Sequence, residues 1–306
     1  MKRKATAAKR RGFHEVASAD GLLLQLDCIF ATLQIVMIVA VDTGGTKTLV
    51  AVFDTDGKII AEQKFPTPVD INDYLVELKQ TVDSLIDSQT ITCLSVALPG
   101  TIKDGHMVWA GNLGWHDTDI KGLLSDHYNC PIIVENDANL AGLAEARALE
   151  SIPNVCLYVT VSTGIGTGIV TNGKIDPNFS TSEGGQITLE HDGELARWET
   201  FASGKAILSR YGKLASEIND EKTWREITAN IAKGFMALIP ILRPDIIVIG
   251  GGVGTHFDKF GELLITTLRK NFNQQSIPIP PIIEAAHPEE AVIYGCYYHA
   301  LDVATT

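Results

Sequence analysis

The residues best suited to chemistry sit in short clusters at the ends of apolar runs. The first is Asp42-Thr43-Gly44-Gly45-Thr46-Lys47, which follows Ile38-Val39-Ala40-Val41. Glycines lack Cβ, so two in a row let backbone N–H groups point into one concavity that can hold phosphate oxygens. Thr46 and Lys47 add a hydroxyl and an ammonium to that donor set. A second apolar run, 48–53, follows at once, and Asp54-Thr55-Asp56-Gly57 closes it with turn residues. The pattern predicts strand, glycine turn, strand. Walker loops and dinucleotide fingerprints both need a helix after the glycines, and none follows here. An ordinary glycine-containing hairpin is the rival reading of this motif by itself.

A second unit of the same kind starts roughly 120 residues later. Residues 155–161 read as a strand, Ser162-Thr163-Gly164-Ile165-Gly166-Thr167 as a glycine turn, and 168–171 as the returning strand. Asn172-Gly173 then turns the chain toward Lys174-Ile175. Three further clusters also close apolar runs: Pro99-Gly100, Glu135-Asn136-Asp137-Ala138-Asn139 and Gly250-Gly251-Gly252. Asn112-Leu113-Gly114-Trp115 lies in a predicted loop at 111–115.

The elements that must position these clusters alternate in type. A third strand is expected at 57–65, broken by Pro66 and Pro68. Tyr74, Leu75, Leu78, Val82, Leu85 and Ile86 have helical spacing, which predicts a helix over 72–88 capped by Asn72 or Asp73. Strands are expected at 91–98, 131–134, 246–249 and near 282–283. Helices are expected at 119–128, 137–149, 201–218, 223–242, 257–271 and 289–301. Strand and helix alternating in this way imply an α/β fold with mixed sheets. Two halves that each open with a glycine hairpin imply duplicated domains facing a cleft.

Composition bounds the function. At 306 residues, roughly 150 per domain gives about two domains. With 45% hydrophobic and 20% charged residues, the chain has an ordinary globular composition. A net charge of -12 argues against nucleic-acid binding, which needs a basic face. The five cysteines are scattered with no Cys-x-x-Cys pair, which suits a reducing cytoplasm and offers no disulfide framework. Residues 1–36 combine a basic head with an apolar stretch at 22–36, in the manner of a signal peptide. Gln25, Asp27 and Gln34 interrupt that stretch, and it is too short and polar for a membrane span. Our expectation is that Met37 is the natural start and that 1–36 is an upstream or disordered arm.

Taken in order, the six clusters resemble the signature set of the ROK family (repressor, open reading frame, kinase) of sugar kinases, within the actin-like ATPase superfamily. The resemblance runs over roughly residues 37–303. It implies two actin-like, ribonuclease H-like domains with mixed sheets around a central cleft, at 37–140 and 141–306, the last helix packing back on the first domain. It implies ATP and magnesium in the cleft and phosphorylation of a hexose, glucose foremost. A kinase of another sugar (N-acetyl hexosamine or fructose), a polyphosphate donor and a sugar-responsive transcriptional regulator are the alternatives. A homodimer, a cytoplasmic setting and no nucleic-acid or membrane partner go with the first reading.

Carried onto these residues, the resemblance makes Asp137 the base that takes the proton of the attacking hydroxyl. An N-cap role is the bland alternative for Asn136 or Asp137. Asn112 and Asn136 would hydrogen-bond sugar hydroxyls, while Trp115 packs the loop. Asp42 would hold magnesium through its waters. Gly44, Gly45, Thr46 and Lys47 would grip phosphates from one side, and Thr163, Gly164 and Gly166 from the other. Gly250, Gly251 and Gly252 would let adenine or ribose approach. Glu183 and Glu199 would hold the sugar ring. Gln186 stands where the family has a histidine that touches the ring. No cysteine lies between Leu189 and Ser203, and His191 alone cannot make a tetrahedral site, so no zinc is expected.

Overall fold

In a computed structural model, the residues described are 37–111, 113–272 and 277–304. The expectation for 1–36 and the candidate Asn112 lie outside them. The chain first folds as strands β1 (Ile38–Thr43), β2 (Lys47–Phe53) and β3 (Ile59–Pro66), helix α1 (Ile71–Ile86) and strand β4 (Cys93–Leu98). Strands β5 (Thr101–Lys103), β6 (His106–Ala110) and β7 (Trp115–Thr118) follow, then helix α2 (Ile120–Ser125), strand β8 (Ile132–Asn136) and helix α3 (Asp137–Ala148).

Next come β9 (Val155–Val161), β10 (Ile165–Thr171), β11 (Lys174–Ile175), a 3₁₀ turn at Gly184–Gln186, β12 (Thr188–His191) and β13 (Glu194–Arg197). Helices α4 (Trp198–Ala202), α5 (Gly204–Tyr211) and α6 (Glu221–Leu242) follow. The chain finishes with β14 (Ile246–Gly250), α7 (Gly251–Gly254), α8 (Phe257–Phe272), β15 (Ile282–Glu284) and α9 (Ala291–Ala304).

Two five-stranded sheets repeat one topology. The first has order β3-β2-β1-β4-β8 and the second β11-β10-β9-β14-β15. In each, three consecutive antiparallel strands come first and two crossover strands pair in parallel beside them. The expected duplication is therefore a duplication of sheets. Strands buried on both faces explain their continuous Val, Ile, Leu and Ala runs. One core lies between the first sheet and α1 and α2; another lies between the second sheet and α6 and α8.

The helices that leave each sheet cross to the other. Helix α3 leaves β8 and packs on β9 and β10, whereas α9 follows β15 and packs on β1, β4 and α3. Phe53 of β2 stacks on Tyr297 of α9 at 4.8 Å, and the Cys296 thiol donates to the Val41 carbonyl at 3.6 Å. Arg147 of α3 grips Asp302 of α9 at 2.8 and 2.6 Å. The two crossing helices thus tie the sheets together.

Several expectations are corrected in detail. The cap of α1 is Asp70, whose carboxylate accepts the Asn72 and Asp73 N–H groups at 2.8 and 3.3 Å. The loop expected at 111–115 ends earlier, because Trp115 opens β7 in a three-stranded sheet with β5 and β6. The single helix expected at 201–218 is divided, since Ser203 is extended and Gly212 is left-handed. Hairpin β12–β13 occupies the segment without cysteines.

Candidate active site

Parallel strands end together, and that geometry collects the motifs. Asp42 is near the end of β1, Pro99-Gly100 follows β4, and Asn136-Asp137 joins β8 to α3. In α/β sheets the space beyond the carboxyl ends of parallel strands is where ligands bind. The second sheet presents its β9–β10 turn and the end of β14.

A cavity of about 260 Å³ opens there. Gly44, Gly45, Gly100, Asn136 and Asp137 line it from the first sheet, and Thr163, Gly164, Gly166, Glu183, Gln186 and Glu199 from the second half. Ten of the sequence candidates are therefore brought together. Asp42, Thr46, Lys47 and Gly250–Gly252 are not in the lining. Thr46 and Lys47 are exposed on the hairpin turn. Within the 250–252 turn, Gly251 has φ +82°, and a Cβ there would lie 2.5 Å from Oγ1 of Thr160, itself a lining residue.

Each side chain is held by local structure. Asn136 caps α3: its Oδ1 accepts from Ala138 N at 2.8 Å and Asn139 N at 3.1 Å. Its Nδ2 donates to the Gly100 carbonyl at 2.9 Å. That leaves one N–H of its amide, so as a sugar ligand Asn136 has far less to give than its residue type suggests. Asp137 is the first residue of α3, and its Oδ1 accepts Ala138 N at 2.8 Å. Glu183 accepts from Thr101 Oγ1 at 3.3 Å, across from β5. Trp115 is buried and donates its indole N–H to the Val69 carbonyl at 2.7 Å, in line with its packing role.

Carboxyl groups crowd the cavity. Burial pushes the Asp137 carboxyl from 3.8 up to about 7, and the Asp42 and Glu183 carboxylates push the same way. Burial likewise raises Asp42 to about 6, against the pull of Lys47. The Glu183 carboxyl is raised by burial, with Glu199 adding repulsion. Such a site suits a neutral, hydroxyl-rich ligand or a cation and repels a bare anion. An acid with a pKa near neutrality can take up a proton and release it again at physiological pH.

A Cβ on Gly45 would meet nothing within 4 Å, and no positive φ demands glycine there. Neither packing nor a left-handed backbone therefore requires glycine at that position. Magnesium needs only one or two carboxylates beside phosphate oxygens. Asp42, with its charge disfavoured by burial and set near Asp137, fits that requirement. Among the described residues, no group of three or more His, Cys, Asp or Glu is arranged to hold a metal ion.

The family model that matches spans residues 38–302 and is described as the ROK family. The chain belongs to the ROK family. This ROK protein is 24% identical to a glucokinase of Streptomyces coelicolor over 84% of the chain and 95% of the relative. It is 29% identical to a fructokinase of Zymomonas mobilis over 70% of the chain and 78% of the relative. In structure it is similar to a ROK family glucokinase from Streptomyces griseus solved with glucose and AMPPNP. The TM-score is 0.70 and the identity 23%, covering 87% of this chain and 99% of that one. The fold is the actin-like one, built here on two sheets of one topology.

Sequence reasoning passed over Thr101, Trp109, Thr160 and Arg197. Trp109 lines the cavity and is 52% exposed. A tryptophan three residues before Asn112 was a usable signal. Arg197 offered none, because its partner Gln186 is brought to it only by the hairpin.

Proposed function

We propose that this ROK protein transfers the γ-phosphoryl group of ATP to a hydroxyl of a hexose, with glucose as the leading acceptor, between lobes 37–140 and 141–306. The observation that carries the reading is Asp137: a carboxyl raised to about 7, at a helix start, between two glycine turns from two sheets. A sugar hydroxyl is a poor nucleophile, and Asp137 accepts its proton as the phosphoryl group is attacked. Glu183, Gln186, Glu199 and the remaining Asn136 N–H hold other hydroxyls. The motif gives Asn112 the same task.

The backbone of Gly44 and Gly45, with Thr46 and Lys47, grips the phosphates from one lobe, and Thr163, Gly164 and Gly166 from the other. Gly250–Gly252 accommodates the nucleoside. Asp42 would hold magnesium, which when bound neutralises charge on the phosphates. Closing the lobes excludes water that would otherwise hydrolyse ATP. No described helix is long and apolar enough to cross a membrane. The reading includes a cytoplasmic setting and a homodimer.

The test is a coupled ADP-release assay with glucose, mannose, fructose and N-acetyl hexosamines, using ATP or polyphosphate as donor. Turnover of a hexose with ATP is the expected result. No turnover with any sugar, together with sugar-dependent DNA binding, overturns it in favour of a transcriptional regulator.

A further inference from the structure

The Glu199 carboxylate is part of a chain of three side chains. Its Oε1 accepts from Gln186 Nε2 at 2.9 Å, and Gln186 Oε1 accepts from Arg197 Nη1 at 2.9 Å. Arg197 Nη1 also lies 3.9 Å from Glu199 Oε1. A guanidinium has no acceptor and an ionised carboxylate has no donor. Only one orientation of the Gln186 amide satisfies both neighbours, oxygen toward Arg197 and NH₂ toward Glu199. One amide N–H and Glu199 Oε2 are then left for the cavity that both residues line. A Cβ on Gly164 would lie 3.0 Å from Oε2, which places that oxygen beside the glycine turn.

The base of this arrangement is rigid. Arg197 ends β13, pairs with Thr188 and is the N-cap residue of α4, the helix that carries Glu199. Trp198 is fully buried, and its backbone N–H donates to the Ile187 carbonyl at 2.9 Å. The far end of the hairpin is pinned where His191 stacks on Phe201 at 4.3 Å and Lys233 donates to the Glu190 carbonyl at 2.9 Å.

We propose that Arg197 is a positioning residue that sets acceptor specificity. It locks the Gln186 amide so that the Gln186–Glu199 pair reads one ligand hydroxyl, which accepts from Nε2 and donates to Oε2. The inference rests on the sugar-kinase reading. It names the acceptor class more closely: a polyol with a free hydroxyl at that point. An analogue without it leaves an amide N–H and a carboxylate unpaired, a deficit that such sites reject strongly.

The experiment compares wild type, Arg197→Ala and Arg197→Lys by ADP release with the best hexose of the panel and its monodeoxy analogues. Wild type should reject one analogue by roughly 100-fold more than the others. Arg197→Ala should raise the hexose KM about tenfold, as loss of a charge-assisted bond does. It should leave kcat and the ATP KM within about threefold and shrink the discrimination at that one position about tenfold. Arg197→Lys should recover part of both losses, because one ammonium donor still reaches Gln186. If Arg197→Ala fails to fold, Arg197→Met, which keeps the aliphatic stem and removes the guanidinium donors, must give the same pattern. An unchanged deoxy profile, or a fall in kcat with hexose KM unaltered, overturns the proposal. A wild type that turns over no hexose overturns the kinase reading itself, and the two failures are thereby distinct.

Discussion

Asp137→Asn keeps the shape of the side chain and removes its ionisation, so it should move activity and stability in opposite directions. In the fold the carboxyl sits at about 7, against an ordinary 3.8. Between those values the folded chain holds a proton that the unfolded chain has released. Stability therefore falls as pH rises from about 4 to about 7, and stays low above that. The difference is roughly 4 kcal/mol at 1.36 kcal/mol per pH unit. Asp137 is partly exposed to the cavity, and water there reduces this to about 2 kcal/mol.

Asparagine carries no such penalty. Free of ligand at pH 8, Asp137→Asn should melt about 4–8 °C above wild type, a gap that closes toward pH 4. Meanwhile loss of the base should cut kcat by about 10²–10⁴. In wild type, kcat/KM should rise to a plateau above about pH 7 and stand about tenfold lower at pH 6. Thermal melting from pH 4 to 8 and ADP release over the same range measure both. A variant within tenfold of wild-type activity, or an inactive one that melts below wild type at pH 8, refutes the reasoning.

Other substitutions separate site from scaffold. Gly45→Ala should leave the melting temperature unchanged, since its Cβ meets nothing within 4 Å, and raise the ATP KM about tenfold in steady-state kinetics. Gly251→Ala faces φ +82° and Val161 O at 2.6 Å, and should cost about 2–3 kcal/mol in guanidinium unfolding. Arg147→Met breaks the bidentate pair with Asp302 and the 3.0 Å bond to the Gly173 carbonyl. About 2 kcal/mol of stability should go, with hexose and ATP KM preserved. Elemental analysis of purified protein should find less than one zinc per chain; stoichiometric zinc would contradict the reading of the segment between Leu189 and Ser203.

The strand–glycine turn–strand units were legible because two strands and a tight turn are local. Runs such as Ile38–Val41 and 155–161 are short, apolar and rich in β-branched residues, as strands buried on both faces are. The short sheet β5-β6-β7 was not legible, because its alternation is weak: the four exposed positions of β6 and β7 are Val108, Trp109, His116 and Asp117, adjacent in pairs. The 201–218 segment looked like one helix because apolar spacing does not register the break that Ser203 makes. Asp70 escaped as a cap because the apolar helical pattern starts four residues later, at Tyr74, while its carboxylate reaches forward to Asn72 and Asp73.

For the site, residue type and position along the chain sufficed to nominate Asp137, the two glycine turns and the carboxylates Glu183 and Glu199. Those are properties of short segments: a carboxylate at a strand-to-helix junction, glycines between strands. Only the packed chain determined that these segments share one cavity, that Asn136 spends most of its amide on the cap and on Gly100, and that Gly251 lies against Thr160. It alone joined Arg197 to Gln186 and raised Asp137 toward neutrality. Burial, charge proximity and hydrogen-bond competition depend on distances between residues far apart in sequence, and those distances come into being only when the two sheets close on α3 and α9.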